Sequence, residues 1–310
     1  MNFFFFLSEE FERSSTESMW DITISIDLFK DYLQEQFHAE YKSSKWVYTQ
    51  LKRYEDEVGV KLFRKEPLGT DGRSFALGLH YPFVHFSQKQ HLYVNQKIRV
   101  ANGVYEMIRH SAINRKRDDL MRLLLGAGST IYHLAAIIAE KSWADQGRYA
   151  IYTHNLGALQ QLLSPRVNFR NIEVFTPQGH VDPSTYAIVG PSTPLFEEVS
   201  FDFVVQGTSC VHKTDLYIES QEEWPRKRTI LKDCTGEKIL VLTKHEFADE
   251  PIPSIESYGS IADYDWVVVP KRKALDLPKK RYDILFDECA SLFTPEILSW
   301  NYEILRVNKP

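Results

Sequence analysis

The first ordered part of the chain carries apolar residues at helical spacing. One series begins near Ile22, and a second runs from Trp46 to Val58, where Gly59 ends it. Apolar positions that recur every three or four residues predict amphipathic helices. The closely spaced glycines of residues 69–73 suit the turn of a hairpin, so we expect two helices followed by a hairpin in this part of the chain.

Beyond residue 95 the pattern alternates between apolar strands and helical segments. A helix from Asn95 precedes the apolar run that ends at Leu125, and shorter apolar runs follow at 149–153, 172–176, 185–189, 201–206, 238–243 and 266–269. Helical patterns lie between several of these runs. Such alternation predicts an α/β fold with a mainly parallel sheet covered on both faces, which binds ligands at the carboxyl ends of its strands.

A glycine turn connects the first of these strands to the next helix. The run Leu123 to Thr130 predicts a strand, a turn at Gly126 and Gly128, and a helix capped by Ser129 and Thr130. Backbone N–H groups at such a helix start can hold a phosphate or another oxyanion. A plain connection between a strand and a helix is an equally good explanation of the turn taken alone.

These patterns divide the chain into three predicted parts. Residues 1–20 form a loose N-terminal segment, 21–88 a small domain and 89–310 a larger α/β domain. The opening run Phe3 to Phe6 lacks a basic flank and leads directly into polar residues. We therefore expect a short core or dimer element there rather than a signal peptide or a membrane span.

The composition is that of an ordinary globular protein. The positions of the charged residues along the chain are more informative than the net charge. The 310 residues are 43% hydrophobic and 25% charged, with a net charge of −5. That net charge argues against binding nucleic acid over the whole surface, although one basic face remains compatible with DNA. The three cysteines are widely separated, which favours reduced thiols in the cytoplasm.

Residues 42–65 carry a local excess of four basic residues, seven against three acids. Side chains of this kind contact phosphates and base edges, which predicts a DNA-binding helix and strand. The candidate DNA contacts are Lys45, Tyr48, Thr49, Gln50, Lys52, Arg53 and Arg64. A solvated amphipathic helix without a nucleic-acid partner is the alternative.

The run Thr49 to Arg64 resembles the end of the recognition helix and the start of the wing in LysR-type winged helix-turn-helix regulators. The resemblance covers roughly residues 43–75 and implies a DNA-binding domain that works as a dimer. A helix-turn-helix that no longer binds DNA and serves as a dimer or partner surface is the alternative.

Residues 95–270 resemble the sensor domain of DeoR-type sugar-metabolism regulators, whose fold is shared with ribose-5-phosphate isomerase, glucosamine-6-phosphate deaminase and CoA transferases. Gly128-Ser129-Thr130 is similar to the family's phosphate loop, the run Tyr152 to Leu156 to its second loop, and the segment from Gly179 to Pro191 to its third. The resemblance implies a phosphorylated or anionic small-molecule effector. The implied ligand contacts are Gly126, Gly128, Ser129, Thr130, Thr153, Asn155, Gly179 and Lys244.

Several positions depart from the family pattern. Gly126 replaces an acidic residue, Gln178 replaces a glycine, and Glu246 stands where the family has a late lysine, with Lys244 two residues earlier. His154 replaces an asparagine. These departures favour a phosphate site on hydroxyls and backbone amides and an effector other than an ordinary sugar phosphate.

An enzyme of the isomerase and deaminase superfamily is the second hypothesis. The isomerase's Asp-Gly-Ala-Asp-Glu stretch is absent, so the candidates for general base, acid and nucleophile are His180, Asp182 and Cys210. The spacing of His80, His85 and His91 matches no helical metal pair. The sequence therefore predicts a homo-oligomeric regulator with no catalytic residues, cofactor, metal site or membrane contact.

Overall fold

The computed structural model divides the chain into two compact units, Met1–Val94 and Asn95–Pro310. It describes residues 23–27, 30–31, 34, 43–58, 61, 63–68, 74–79, 86–90, 93–113, 119–144, 147–190, 196, 198–243, 246–248, 251–252, 255–271 and 286–309. The predicted boundary at residue 88 stays a prediction.

The described residues of the first unit include the helices α1 (Ser44–Val58) and α2 (Phe86–Lys89) and a three-stranded antiparallel sheet. The strands are β1 (Thr23–Ser25), β2 (Phe63–Leu68) and β3 (Ser74–Leu79). The sheet has the order β1-β3-β2. The predicted hairpin turn of residues 69–73 lies outside the described residues, and so do most of the first predicted helix and the three histidines between 80 and 91.

The buried carboxylate of Glu55 joins α1 to the hairpin. It accepts hydrogen bonds from the Phe63 backbone N–H at 2.9 Å and from Lys61 Nζ at 3.2 Å. Ser43 precedes the helix, and its hydroxyl accepts from the Trp46 N–H at 3.2 Å, as an N-cap side chain does. On the inner side of the helix, Val47 and Leu51 are buried.

The second unit is built on an eight-stranded sheet. Its strands are β4 (Leu120–Leu125), β5 (Arg148–Thr153), β6 (Ile172–Phe175), β9 (Ser200–Gly207), β12 (Thr235–Val241), β14 (Trp266–Pro270), β15 (Phe293–Leu298) and β16 (Tyr302–Val307). They follow the order β15-β16-β14-β12-β9-β4-β5-β6. The six strands from β14 to β6 are parallel, and β15 and β16 pair antiparallel at one edge. The mainly parallel α/β fold expected from the sequence is thus confirmed.

Helices cover both faces of this sheet. They are α3 (Val94–Ile113), α4 (Ser129–Lys141), α5 (Leu156–Leu162) and α6 (Trp224–Asp233). Leu123 and Leu125 of β4 belong to the core cluster that contains residues of α3, α4 and α5, whereas Leu124 packs with Ile230 of α6. The side chains of a strand alternate between its faces, so β4 is apolar on both.

The apolar run at 185–189 was expected to continue the alternation of the main sheet, and this expectation is wrong. The structure places β8 (Ala187–Val189) in a separate antiparallel hairpin with β7 (His180–Asp182). Its apolar residues are buried by contact with Ala127 of the glycine turn rather than by neighbouring strands of the sheet. A second small antiparallel sheet has the order β10-β11-β13, from β10 (Cys210–His212), β11 (Asp215–Tyr217) and β13 (Gly259–Ser260).

Candidate functional site

The glycine turn follows β4 at the point where the strand order changes direction. From β4 the chain builds the sheet outward through β5 and β6 on one side, and through β9, β12 and β14 on the other. The Gly126 N–H donates to the Val205 carbonyl of β9 at 2.9 Å, which ties the turn to the neighbouring central strand. Ligands of open α/β sheets bind at such switch points.

Helix α4 begins without a side-chain cap, which corrects the expectation for Ser129 and Thr130. Gly128 is the N-cap residue, and no side-chain cap hydrogen bond is formed there within the described part of the chain. Ser129 and Thr130 are instead the first two helical residues, and both are buried. The first N–H groups of a helix have no intrahelical acceptor, so this end of α4 offers amide donors and the positive end of the helix dipole.

The turn is open at Gly128 and closely packed at Gly126. A Cβ atom at Gly128 would meet no described heavy atom within 4 Å, and the residue has φ +122°, which disfavours any L side chain. A Cβ atom at Gly126 would lie 3.2 Å from the Val205 carbonyl oxygen. The open space beside the start of α4 therefore lies at Gly128.

Thr153 and Asn155 brace the turn from the end of β5. The Thr153 hydroxyl donates to the Leu125 carbonyl at 2.6 Å and accepts from the Asn155 N–H at 3.1 Å. The Asn155 amide Nδ2 donates to the Gly128 carbonyl at 2.9 Å, while its Oδ1 caps α5 by accepting from the Ala158 N–H at 3.1 Å. The structure thus brings both predicted residues to the turn, where they hold its backbone.

The hairpin β7–β8 lies across the end of β5. The Ile188 N–H donates to the His154 carbonyl at 2.7 Å, and the Leu156 N–H donates to the Tyr186 carbonyl at 3.0 Å. Gly179 allows the close approach within the hairpin, since a Cβ atom there would lie 2.2 Å from the Val189 carbonyl oxygen. Gly179 therefore holds the segment that packs on the turn.

A group of three buried basic residues lies beside the turn, and two of them, Arg226 and Lys227, were not predicted from the sequence. His154, Arg226 and Lys227 are 1%, 2% and 3% exposed. Arg226 donates from Nη2 to the carbonyls of Gln178 at 3.3 Å and Gly190 at 3.4 Å, which joins α6 to the hairpin. The spacing of α6 carried a signal, because Arg226 and Lys227 stand four residues before the buried pair Ile230 and Leu231.

Burial and nearby positive charge set the protonation of His154. Burial, followed by the charges of Arg226 and Lys227, holds the pKa of His154 well below its usual value of 6.5. Burial also lowers the pKa of Arg226. Lys227 Nζ lies 3.5 Å from Glu223 Oε1, and the Gln206 side chain donates to the Lys227 carbonyl at 3.4 Å. The imidazole is therefore uncharged at neutral pH, with one nitrogen that donates and one that accepts.

Both ring nitrogens of His154 are buried and have no hydrogen-bond partner within the part of the chain that the structure describes. A buried polar group without a partner costs about 1–3 kcal/mol. Such groups are rare in folded proteins and call for an explanation.

The candidate general base and acid of the enzyme hypothesis, His180 and Asp182, both have polar partners in the structure. Asp182 accepts hydrogen bonds from Ser184 and Thr185 of the hairpin turn and from Ser220, which precedes α6. Burial raises the pKa of Asp182, but these hydrogen bonds together lower it by more, so that the pKa lies below its usual value. His180 lies at the surface, 3.2 Å from Glu222. Among the described residues, no group of three histidines, cysteines or acids could hold a metal ion.

Lys244 lies outside the described residues and stays a prediction. Glu246, at the position of the family's late lysine, is buried and accepts a hydrogen bond from the Thr243 N–H.

In the first unit, the predicted DNA contacts differ in exposure. Lys45, Thr49, Lys52 and Arg53 are exposed on α1, whereas Tyr48, Gln50 and Arg64 are partly buried. Tyr48 packs edge-on against Phe75 of β3, and Arg64 lies 2.5 Å from Glu66. Lys65 Nζ lies 4.1 Å from the centre of the Phe75 ring. Four of the predicted contacts are thus exposed on α1, on which Asp56 and Glu57 are exposed as well, and the DNA contacts stay a prediction.

An open, mainly parallel sheet with a glycine turn and an uncapped helix start at its switch point is the architecture of α/β domains that bind small molecules at this place. A family model described as the DeoR C terminal sensor domain matches residues 93–269. The chain belongs to this family, and it is thereby a DeoR-type regulator with an effector-binding domain.

Comparison with solved structures gives distant likenesses. Ribose 5-phosphate isomerase A from Methanocaldococcus jannaschii is 12% identical with a TM-score of 0.33, over 68% of this chain and 78% of that one. The isomerase from Plasmodium falciparum is 10% identical with a TM-score of 0.31, over 69% and 80%. eIF2B beta from Chaetomium thermophilum is 12% identical with a TM-score of 0.32, over 56% and 47%. No curated protein matches the chain.

Among the described helices, none is both long enough and apolar enough to cross a membrane.

Proposed function

We propose that the chain is a DNA-binding transcriptional regulator whose second unit binds a phosphorylated or otherwise anionic small metabolite at the turn Gly126–Thr130. The observation that carries the proposal is the uncapped start of α4 beside the open space at Gly128. Amide donors and the helix dipole converge there at a switch point of the sheet, which suits an oxyanion.

The direct contacts in this proposal are the N–H groups of the turn and the hydroxyls of Ser129 and Thr130. Thr153 and Asn155 support them from β5, and Gly179 supports them through the hairpin. Lys244 is proposed as a further contact. A charge-assisted hydrogen bond at such a site contributes about 1.5–3 kcal/mol, so the loss of one weakens binding by roughly one to two orders of magnitude.

DNA binding is proposed for α1 and the following hairpin. Lys45, Thr49, Lys52 and Arg53 are exposed along the helix, where they can reach phosphates and base edges. A helix followed by a two-stranded hairpin is also the order of the recognition helix and the wing in a winged helix, which supports the proposal for this part of the unit. The effector would then alter DNA affinity, because a ligand that binds one state of a protein shifts its population.

The test is calorimetric titration of the whole chain with a panel of sugar phosphates and nucleotides, comparing wild type with Gly128→Ala. The new methyl group would enter the space proposed for the ligand, so binding should fall at least about tenfold. Gly207→Ala is the matched control, because a Cβ atom there makes only ordinary contact, 3.6 Å from Val241. Circular dichroism checks that both variants are folded.

Equal binding by wild type and Gly128→Ala would show that the turn is only a structural connection. Turnover of a bound sugar phosphate by wild type would replace the sensor proposal with an enzyme. For the regulator itself, fluorescence anisotropy with duplex DNA should show binding that weakens as salt rises.

A further inference from the structure

The loops that precede β5 and β6 are tied together by hydrogen bonds. The Ser142 hydroxyl accepts from the Asn168 N–H at 2.9 Å, and the Ser142 carbonyl accepts from Asn171 Nδ2 at 3.1 Å. The indole Nε1 of Trp143 donates to the Arg166 carbonyl at 2.7 Å. These bonds hold the two loops in one arrangement, so the side chains that they expose lie on a fixed backbone.

Three large apolar side chains are exposed on these loops, which we call the loop surface (residues 142–144 and 163–171). Trp143 is 69% exposed, Leu163 60% and Phe169 56%. Single exposed apolar residues are normal, but a group of them marks a surface that binds a partner. The tryptophan and the phenylalanine each directly follow a residue of the hydrogen bond that joins the two loops, so they belong to one group.

The loop surface also carries positive charge. Arg166 and Arg170 are exposed on it, and residues 163–171 contain no acidic side chain. Glu173, the next acid along the chain, is paired with Arg148 of β5 at 3.6 Å. Tryptophan, phenylalanine and arginine are enriched at protein–protein interfaces, and tryptophan and arginine often contribute most of the binding energy.

Charge and shape distinguish the possible occupants of the loop surface. A second copy that used the same surface would bring the two arginines of each chain toward those of the other, and such like-charge contacts are unfavourable. A single-stranded nucleic acid needs rings on which its bases stack, and Leu163 offers none. An acidic protein segment with apolar side chains complements both the arginines and the three apolar residues.

We propose that the loop surface binds an acidic protein segment that carries apolar side chains. Trp143 and Phe169 are its apolar anchors, and Arg166 and Arg170 pair with its carboxylates. Because the backbone of both loops is already held, binding does not require them to become ordered. The loop surface lies at the amino ends of parallel strands, whereas the glycine turn follows the carboxyl end of β4, so the partner and the effector occupy opposite ends of the sheet.

The test selects peptides from a library of displayed random sequences against the whole chain. Fluorescence anisotropy then measures the affinity of each enriched peptide for wild type and for Trp143→Ala. Trp300→Ala is the matched control, because Trp300 is 84% exposed between β15 and β16, away from the loop surface. Circular dichroism checks the folding of each variant, and Leu163→Ser replaces Trp143→Ala if that variant does not fold.

The charge of the loop surface is tested by reversing it. Arg166→Glu and Arg170→Glu are combined in one variant, and Arg228→Glu and Lys232→Glu on the exposed side of α6 form the control. Each replacement of a cation by glutamate changes the charge by −2, so both double variants change the net charge from −5 to −9. A difference between them therefore reports on the loop surface.

We expect the enriched peptides to include acidic sequences with apolar residues whose affinity falls about tenfold or more in Trp143→Ala, as at an interface hot spot. The same peptides should lose binding to the loop double variant and bind both controls as they bind wild type. Their binding to wild type should weaken as salt rises, because carboxylates and arginines attract each other less when ions screen them.

The proposal is overturned if no enriched peptide depends on Trp143 and the arginine pair, or if the peptides that do so lack acidic residues. Two further measurements identify a different occupant. A labelled single-stranded oligonucleotide that binds wild type but not Trp143→Ala would assign the loop surface to nucleic acid. Sedimentation velocity that shows a smaller assembly for Trp143→Ala than for wild type would assign it to a second copy of the chain.

Discussion

Asn155 joins the first helical turn of α5 to the glycine turn after β4, because its Oδ1 accepts from the Ala158 N–H while its Nδ2 donates to the Gly128 carbonyl. One side chain thus fixes the position of two loops that belong to neighbouring parallel strands. The Gly128 carbonyl also accepts from the Tyr132 N–H of α4 at 3.2 Å, so the Asn155 amide and the helix hold it together.

Replacing Asn155 separates these two roles. Asn155→Ala should lower the free energy of unfolding by about 1–2 kcal/mol, since an N-cap is lost. Asn155→Ser is the matched control, because serine keeps a capping oxygen and lacks the Nδ2 donor. We expect Asn155→Ser to be nearly as stable as wild type and to bind the effector more weakly. Denaturant unfolding and calorimetry measure the two quantities, and wild-type binding by the serine variant would contradict the bracing role.

The proposed DNA surface is tested by its salt dependence. Lys52→Ala and Arg53→Ala together should weaken duplex binding and reduce the slope of log affinity against log salt by up to about 2, because each phosphate contact contributes roughly 0.9 to it. The control removes two exposed charges from α6 instead, by Arg228→Ala and Lys232→Ala. Each double variant changes the net charge from −5 to −7, so a difference between their salt slopes reflects where on the protein the two charges were removed. Equal slopes in the two double variants would contradict the assignment of α1.

Gly179→Ala should destabilise the hairpin that packs on the turn. The added Cβ atom would lie 2.2 Å from the Val189 carbonyl oxygen, so the two backbones must separate. Overpacking of this kind costs about 1–3 kcal/mol. Thermal unfolding of Gly179→Ala and of Gly207→Ala gives the comparison, and a midpoint equal to that of wild type would show that the hairpin relaxes freely.

The lowered pKa of His154 predicts a loss of stability in mild acid. Below pH 6.5 the unfolded chain binds a proton on this residue that the folded protein excludes, so falling pH favours unfolding. The contribution is fully present above pH 6.5 and is lost toward the folded pKa, by up to about 1.4 kcal/mol per pH unit. Denaturant unfolding of wild type and His154→Leu between pH 7.5 and 5 should show a smaller acid loss in the variant. Parallel curves would indicate that the folded protein protonates His154 readily.

The sequence predicted the parts of the site that depend on local pattern. The apolar run before Gly126 and the helical spacing after Thr130 identified strand, turn and helix, and the structure agrees. The exact start of α4 could not be predicted, because Gly128 and Ser129 are both acceptable N-cap residues by type. The backbone conformation decides between them, because Gly128 is not helical, with φ +122°, and the helix begins at Ser129.

Residues that are buried by segments far away in the sequence were not predicted. Arg226 and Lys227 belong to a helix with mostly polar side chains, and their burial results from the segments around Gln178 and Gly190 and from Glu223. The β15–β16 hairpin was also missed, since many of its apolar residues are exposed or lie on both faces and give no single period. Ala187 to Val189 were wrongly assigned to the main sheet. A short buried apolar run has the same composition in a separate hairpin as in a central strand, so the sequence cannot distinguish the two.

The central position of β4 also sets an order of events during synthesis. β5 and β6 can pair with β4 soon after they leave the ribosome, but β9 begins only at Ser200. Until then β4 has one unpaired edge carrying Leu123 to Leu125, which makes a partly made chain prone to associate through that edge. Completion of β9 closes the edge and, through the bond from Gly126 to Val205, anchors the turn in the same step. Nascent chains that stop before β9 should therefore be the ones that chaperones retain.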